Sequence, residues 1–434
     1  MHYQKPKGTT DILPGESEKW QFIEATARKV FQQYCFREMR TPIFEHYEVV
    51  ARNVGESTDI VTKEMYDFYD KGNRHVTLRP EGTAPLVRSY VEHKLYGPEY
   101  AHPFKAYYIG PMFRYERPQA GRLRQFHQIG AEVIDSSSPA TDVETMAMAL
   151  DFFKRLGINQ IKLVINSLGD RTSRALYRQT LIEYLTTFKD QLSEDSKRRL
   201  KQNPLRVLDS KEEQDQAIIK NAPSILASLD EKGATFFEEV QQLLATLKIP
   251  FVIDHRMVRG LDYYNHTVFE IMSDAPTFSG TLTTICAGGR YDGLVSEFSG
   301  PETMDTGFGF AMGIERVLLA MESVGQPIPT KGNIAVYIIC LEHVADQAAL
   351  LIAQEARQVG LITECDLTYR KLKNQLRTAN RLNAQVVAIL GEEEIKQQRV
   401  ILKNMDSGIE TSVLFDQIGD YFVKLRAEIK EQVE

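Results

Sequence analysis

The stretch FRYERPQAGRLRQFHQIGAE, residues 113–132, decides how this chain folds. The flanking segments KAYYIGPMFRYE (105–116) and RQFHQIGAEVI (124–134) predict two strands joined by a short polar loop over 117–123, turned by Pro118 and Gly121. Side chains alternate faces along a strand, so Phe126, Gln128, Gly130 and Glu132 share one face. Gly130 has no side chain and leaves space between an amide and a carboxylate, a floor for a small polar ligand. Arg114 and Glu116 share a face of the partner strand, and the loop adds Arg117, Arg122 and Arg124. Guanidiniums beside such a floor suit an oxyanion such as phosphate, because the planar fork matches its oxygens. A solvated, salt-bridged hairpin has the same pattern, so this segment alone leaves both readings open.

Upstream, Trp20, Ile23, Ala27, Val30 and Tyr34 recur at helical spacing, with Asp11 and Ser17 as candidate caps. REMRTPIFE (37–45) reads as extended and broken at Pro42, a short helix follows from His46, and HVTLR (75–79) reads as a strand. Downstream, residues 171–247 are polar and helix-like: Tyr177, Leu181, Tyr184, Phe188 and Leu192 step by three or four, as do Phe236, Val240, Leu243 and Leu247. Strand patterning resumes in FVIDHR (251–256), HTVFEI (266–271), TLTTICAG (281–288) and TGFGFAM (306–312). This predicts an α+β domain over 1–325 with an antiparallel sheet and a helical insertion at about 171–247. GQPIPTKG (325–332) marks a linker. Beyond it, strands NIAVYIICL (333–341), LITECD (361–366) and QVVAIL (385–390) alternate with helices, one of them basic over 370–383. A hairpin at 398–414 and a terminal helix complete a small, mostly parallel α/β domain over 331–434.

Composition narrows the class. Among 434 residues, 43% are hydrophobic and 26% charged, the profile of a soluble globular protein. No apolar run approaches membrane-spanning length, and MHYQKPKGTTDILP lacks a signal-peptide core. The net charge of −7 argues against a surface wrapped by nucleic acid and leaves room only for local basic strips. Cys35, Cys286, Cys340 and Cys365 form no CxxC pair and no zinc spacing, which predicts reduced thiols in a cytoplasmic protein and no metal site built by the chain.

A second glycine-rich segment, GFGFAMGIER (307–316), reads as a strand entering a helix with Arg316 one turn in. With the arginine hairpin it resembles motifs 3 and 2 of class II aminoacyl-tRNA synthetases, and the stretch around Pro42 resembles motif 1. VRGLDYYNHTVFE (258–270) and CAGGRYDGL (286–294) resemble the histidine-specific motifs of the bacterial-type histidyl-tRNA synthetase family. KGTTDILP (7–14), RPEGTA (79–84) and NPLRVLDSK (203–211) also resemble it, so the likeness spans essentially the whole chain.

The resemblance implies the class II fold with a C-terminal anticodon-binding domain, and an enzyme that joins L-histidine to its tRNA with ATP and Mg2+ as a homodimer. It implies Arg114 at the α-phosphate, Glu116 and Arg122 near the adenine and outer phosphates, Phe126 stacked on adenine and Arg316 covering ATP. It implies Glu81, Thr83 and Gln128 around the α-amino group of histidine, Glu132 and Tyr264 bracketing the imidazole, and Tyr263 beside them. Arg259 corresponds to the family's catalytic arginine, which contacts the histidine carboxylate as well as the α-phosphate, and Arg114 shares both catalytic and histidine-binding duty. Arg370, Lys373, Arg377 and Arg381 line one face of the basic helix, with Leu372, Leu376 and Ala379 on its core face. That strip is either a solvated surface or a seat for tRNA phosphates or the anticodon, and the family's domain order favours the second.

The chemistry is consistent with these roles. Histidine is small, and a buried site that pairs both ring nitrogens rejects analogues better than an apolar pocket does. A carboxylate attacking a phosphate needs a positioned cation between two anions. Two other readings share part of this pattern. A regulatory paralogue of the family lacks the C-terminal domain and has eroded catalytic motifs, whereas this chain keeps both. Class II synthetases for proline, threonine or glycine lack the RGLDYYNHTVFE segment.

Overall fold

The computed structural model describes residues 3–431 apart from 56–57, 120, 279–281, 300–304 and 326–333. The chain divides into two compact units, Met1–Pro329 and Thr330–Glu434. All of the expected linker except Gly325 lies outside the described residues.

The first unit contains strands β1 (Arg37–Glu38), β2 (Phe44–His46), β3 (Tyr66–Tyr69), β4 (His75–Leu78), β5 (Phe104–Phe113), β6 (Gln125–Ile134), β7 (Ile161–Ser167), β8 (Phe251–Ile253), β9 (Asn265–Ser273), β10 (Thr283–Arg290) and β11 (Gly307–Gly313). Eight of them form one sheet in the order β1-β5-β6-β11-β10-β9-β7-β8. Its interior pairs are antiparallel, and the short edge strands β1 and β8 pair in parallel. The expected antiparallel α+β fold is therefore present. A separate antiparallel sheet has the order β2-β4-β3.

Alternation on β6 sorts the sheet's two faces. Ile129, Ala131 and Val133 point into the main core with Phe308, Phe310 and Met312 of β11. Helices Ser17–Gln33, Pro139–Arg155, Glu231–Thr246 and Ile314–Ser323 cover this face, contributing Ile23, Phe31, Phe152, Val240 and Val317 among others. Each large apolar side chain so buried is worth about 1.5–3 kcal/mol. Gln128, Gly130 and Glu132 consequently face away from that core, and this is the face that carries the site.

Several local expectations change. The first helix begins at Ser17 without a side-chain cap; Glu18 instead accepts from the Gly15 amide at 2.6 Å. Strand β5 ends at Phe113, so Arg114 and Glu116 belong to the loop and not to a strand face. That loop spans 114–124 and is closed by an Arg114 amide to Arg124 carbonyl bond of 2.9 Å. Ala120, at the expected turn, lies outside the described residues. Helix Pro139–Arg155 and strand β7 were not anticipated.

Within 171–247, helices Arg171–Thr187, Glu194–Gln202 and Glu213–Ile219 enclose a core of their own around Tyr177, Leu181, Leu185, Val207 and Ile219. Asp170 starts the first by accepting from the Ser173 amide at 2.7 Å, an N-cap bond. Asp215, fully buried, ties the block together by accepting from the hydroxyls of Ser193, Ser196 and Ser210 at 2.5–2.6 Å. Helix Glu231–Thr246, expected within the block, packs on the main sheet through Phe237, Val240 and Leu244.

The second unit contains β12 (Val336–Cys340), β13 (Thr363–Asp366), β14 (Val386–Leu390), β15 (Arg399–Asn404) and β16 (Glu410–Leu414) in the order β13-β12-β14-β15-β16. The first three are parallel and β14, β15 and β16 pair antiparallel, so the sheet is more mixed than expected. Helices Asp346–Gln358 and Ile418–Glu431 supply Ile352, Ala356 and Phe422 to its core. The basic helix is Leu372–Arg381. Its core face carries Gln375, Leu376 and Ala379, so two of the three expected apolar positions pack inward, while Leu372 is 37% exposed.

Candidate active site

A cavity of about 840 Å³ opens on the face of the main sheet turned away from the main core. Glu81, Thr83, Arg114, Glu116, Arg122, Phe126, Gln128, Arg259, Tyr263, Tyr264 and Arg316 all line it, drawn from four separate stretches of chain. Glu132 takes no part in its wall and is 1% exposed.

One half of the cavity is basic. Arg114 donates from Nε to the Pro80 carbonyl at 2.9 Å, and its guanidinium stands 5.4 Å from the Phe126 ring centre. Glu116 is held by Arg122 at 2.7 Å and lies 3.8 Å from Arg114. Arg316 enters on helix Ile314–Ser323 and donates to the Thr284 carbonyl at 2.7 Å. Three guanidiniums and one aromatic face thus line this half, a set whose chemistry suits a polyanion joined to a flat ring.

The other half is lined by buried polar groups. Glu81 caps helix Thr83–Glu92, accepting from the amides of Thr83 and Ala84 at 2.7 and 2.8 Å. Burial pushes its carboxyl up from the ordinary value, against those two bonds. Gln128 keeps a buried Oε1 with no hydrogen-bond partner. The rings of Tyr263 and Tyr264 are 4.6 Å apart, and the Arg259 guanidinium lies 5.5 Å from the Tyr264 ring centre. Arg259 is ion-paired with Glu270, which accepts a second bond from Thr284 Oγ1 at 2.6 Å.

Gly130 plays a different part from the one its sequence position implied. A Cβ there would come within 2.2 Å of the Tyr108 ring, and one at Gly82 would meet the same ring at 2.2 Å. The space between Gln128 and Glu132 is therefore filled by Tyr108, which is buried. Glu132 sits under this layer. Thr83 Oγ1 donates to it at 2.7 Å and Tyr291 at 2.8 Å, and a Cβ at Gly309 would collide with its carboxylate. Burial raises its pKa from 4.5 to about 8, against those two bonds. Tyr108, Tyr291, Glu270 and Thr284 were not singled out from the sequence. Tyr291 and Glu270 lie inside the quoted segments CAGGRYDGL and VRGLDYYNHTVFE, but their contacts with Glu132 and Arg259 are set by the tertiary fold.

In the second unit, Lys373, Arg377 and Arg381 are exposed on helix Leu372–Arg381. Arg370 precedes the helix and is bound to Asp366 at 2.7 Å and to Thr368 at 2.8 Å. The structure therefore separates Arg370 from the other three.

The family model described as histidyl-tRNA synthetase matches residues 8–317, and one described as anticodon binding domain matches 335–425. The chain belongs to the histidyl-tRNA synthetase family. A histidine–tRNA ligase of Streptococcus uberis is 56% identical over 99% of this chain and 100% of its own length. One from Streptococcus pneumoniae is 56% identical over 98% of each. The apo histidyl-tRNA synthetase of Staphylococcus aureus superposes with a TM-score of 0.81 at 39% identity, covering 97% of this chain and 100% of the other. A Bacillus halodurans structure described as an ATP phosphoribosyltransferase regulatory subunit/histidyl-tRNA synthetase shares the fold alone, at 22% identity and a TM-score of 0.62. In this synthetase family, the match at residues 8–317 takes in every residue that lines the cavity, together with Glu132 beneath it.

Proposed function

We infer that the protein is a histidine–tRNA ligase, which activates L-histidine with ATP to histidyl-adenylate and pyrophosphate and then transfers histidine to the 3′ end of its tRNA. The observation that carries this is that one cavity is lined both by three arginines with Phe126 and by Glu81, Gln128, Tyr263 and Tyr264, with Arg259 on the same wall.

ATP is assigned to the basic half. Arg114 takes the α-phosphate, Phe126 stacks on the adenine, Glu116 and Arg122 hold the adenine edge and outer phosphates, and Arg316 closes from the opposite side. Histidine is assigned to the other half, its amino group met by Glu81, Thr83 and Gln128. The Gln128 oxygen is an acceptor waiting for a donor, and an ammonium supplies one. Tyr263 and Tyr264 flank the side chain. Glu132 is assigned to the imidazole with its carboxyl group held in direction by Thr83 and Tyr291, whose two bonds leave a further lone pair on each oxygen. Arg259 offsets the repulsion between the attacking carboxylate and the α-phosphate and stabilises the charge that grows in the transition state. Arg114 assists, and no nucleophilic side chain is required.

Mg2+ accompanies the triphosphate. Among the described residues no group of three or more His, Cys, Asp or Glu forms a cage for a resident ion. Mg2+ typically uses substrate phosphates with one or two carboxylates, and Glu116 and Glu315 stand on the cavity wall. The tRNA contact is assigned to Lys373, Arg377 and Arg381 in the anticodon-binding domain, with Arg370 as their neighbour. A cytoplasmic setting fits four free thiols, and among the described residues no helix is long and apolar enough to cross a membrane. A homodimer is favoured by Ile43, Phe44, Phe68 and Tyr69, which are 45–65% exposed in and beside the small sheet of β2, β4 and β3.

ATP–pyrophosphate exchange with a panel of amino acids tests the assignment. Exchange driven by histidine alone is expected. Exchange driven by proline, threonine or glycine, or by none, overturns it.

A further inference from the structure

The loop between β8 and β9 carries Arg259, Tyr263 and Tyr264, and no regular element supports it from within. What fixes it comes from outside. Arg174, one turn into helix Arg171–Thr187 of the helical block, donates from one guanidinium nitrogen to the carbonyls of Asp262 and Tyr264 at 3.0 and 3.1 Å. Its other terminal nitrogen lies 3.7 Å from the Asp262 carboxylate. These carbonyls stand on either side of Tyr263, so a single cation sets the backbone on which both tyrosines are mounted. The same loop enters the block's own apolar core, where Val258 and Tyr264 pack with Tyr177 and Leu181.

We propose that Arg174 is a positioning residue for histidine recognition, and that through it the helical block forms part of the histidine pocket. This rests on the reading of Tyr263 and Tyr264 as histidine contacts. Arg174 touches neither half of the cavity described above; it lines a separate hollow of about 190 Å³ on the other side of the two tyrosines. Losing the guanidinium leaves two carbonyls without their charged donor, one of them on the buried Tyr264. The backbone then relaxes, and the cost falls on histidine binding, since Arg114, Phe126 and Arg316 are mounted on other elements. Because the hollow is open to solvent beside Arg174, a guanidinium ion in solution can enter the vacated space.

The test is steady-state pyrophosphate exchange by the full-length protein carrying Arg174→Ala or Arg174→Lys. The alanine variant is expected to raise KM for histidine about tenfold, as for a lost charge-assisted bond pair, and to leave KM for ATP within about twofold. Guanidinium chloride at low millimolar concentration is expected to bring KM for histidine back toward the parent value. The lysine variant, which keeps the charge but not the two-carbonyl geometry, is expected to fall between and is decisive if the alanine variant is insoluble. A fall in kcat with both KM values unmoved overturns the proposal, because the effect would then lie on Arg259, which rides the same loop, and not on the two tyrosines assigned to histidine. Tyr264→Phe separates the two layers of inference. If it weakens histidine while Arg174→Ala does not, the clamp is wrong; if neither does, the placement of histidine is wrong.

Discussion

Tyr291 donates its phenolic hydrogen to one oxygen of Glu132 at 2.8 Å while Thr83 donates to the other at 2.7 Å, so this buried carboxyl group is fixed in direction before any ligand arrives. Burial nonetheless dominates, raising Glu132 from 4.5 to about 8, and Tyr291 is itself pushed well above its usual range by burial and by that carboxylate. The native state thus holds the Glu132 proton more tightly than an unfolded chain does. Its contribution to stability is complete below about pH 4.5 and is lost as pH rises toward 8. Ligand-free protein is therefore expected to melt at falling temperature between pH 5 and pH 8, with the decline reduced in Glu132→Gln. Thermal scans across that range check it; an identical slope in both proteins would refute the burial argument. The same variant is expected to lose histidine-dependent exchange.

Arg259→Ala is expected to abolish histidyl-adenylate formation while leaving the fold intact. One preorganised charge at a developing anion is worth about 10²–10³ in rate. Pyrophosphate exchange within a few-fold of the parent would sink the assigned role.

Glu270 aims Arg259, and Thr284 in turn aims Glu270. Glu270→Gln keeps the shape and removes the countercharge, so the guanidinium loses its fixed direction. Misplacement of a catalytic group costs up to about 10²-fold, and the loss is expected in kcat for exchange with both KM values little changed. A KM effect confined to histidine would instead make Glu270 a substrate contact.

How far the sequence could lead is seen at two glycines. Strand alternation correctly sorted Gln128, Gly130 and Glu132 away from the core residues Ile129, Ala131 and Val133. It did not show that Tyr108, from the neighbouring strand, fills the space above Gly130, because that depends on the register in which Tyr108 opposes Gly130. Gly309 is similar: it reads as a close approach, but the group it admits is Glu132, its partner across β6 and β11. Helix Pro139–Arg155 was overlooked although Ser138 caps it and Pro139 opens it, since its apolar face is carried by closely spaced Met, Ala and Phe residues. In the second unit a polar residue, Gln375, occupies the core because its amide reaches the Cys340 and Arg370 carbonyls, which no hydrophobic pattern announces.

The small sheet offers the most direct test of assembly. Phe44 is 60% exposed and Phe68 46% exposed on its two outer strands. Phe44→Glu places a charge in the proposed contact, and sedimentation velocity at micromolar concentration is expected to shift from a dimer to a monomer of about 50 kDa with loss of activity. A parent protein that already sediments as a fully active monomer would remove the dimer.

The basic helix of the second unit separates two kinds of cation. Arg370 is spent on the fold. Burial works against the Asp366 carboxylate, yet hydrogen bonds from Thr368, Tyr337 and Arg370 hold it at about 2. Neutralising Arg370 is therefore expected to lower stability without reporting on RNA. Lys373, Arg377 and Arg381 are exposed one or two turns apart on the same helix, where three phosphates of a single strand can be met in succession. Changing these three to Gln is expected to weaken tRNA binding and to reduce the slope of log affinity against log salt by about 2, at roughly 0.7 per contact. Histidine-dependent pyrophosphate exchange is expected to stay at the parent level, because every side chain assigned to that half-reaction lies before residue 317. An unchanged salt slope would mean that the strip is only a solvated helix surface; a loss of exchange would mean that the two half-reactions are not divided between the two units.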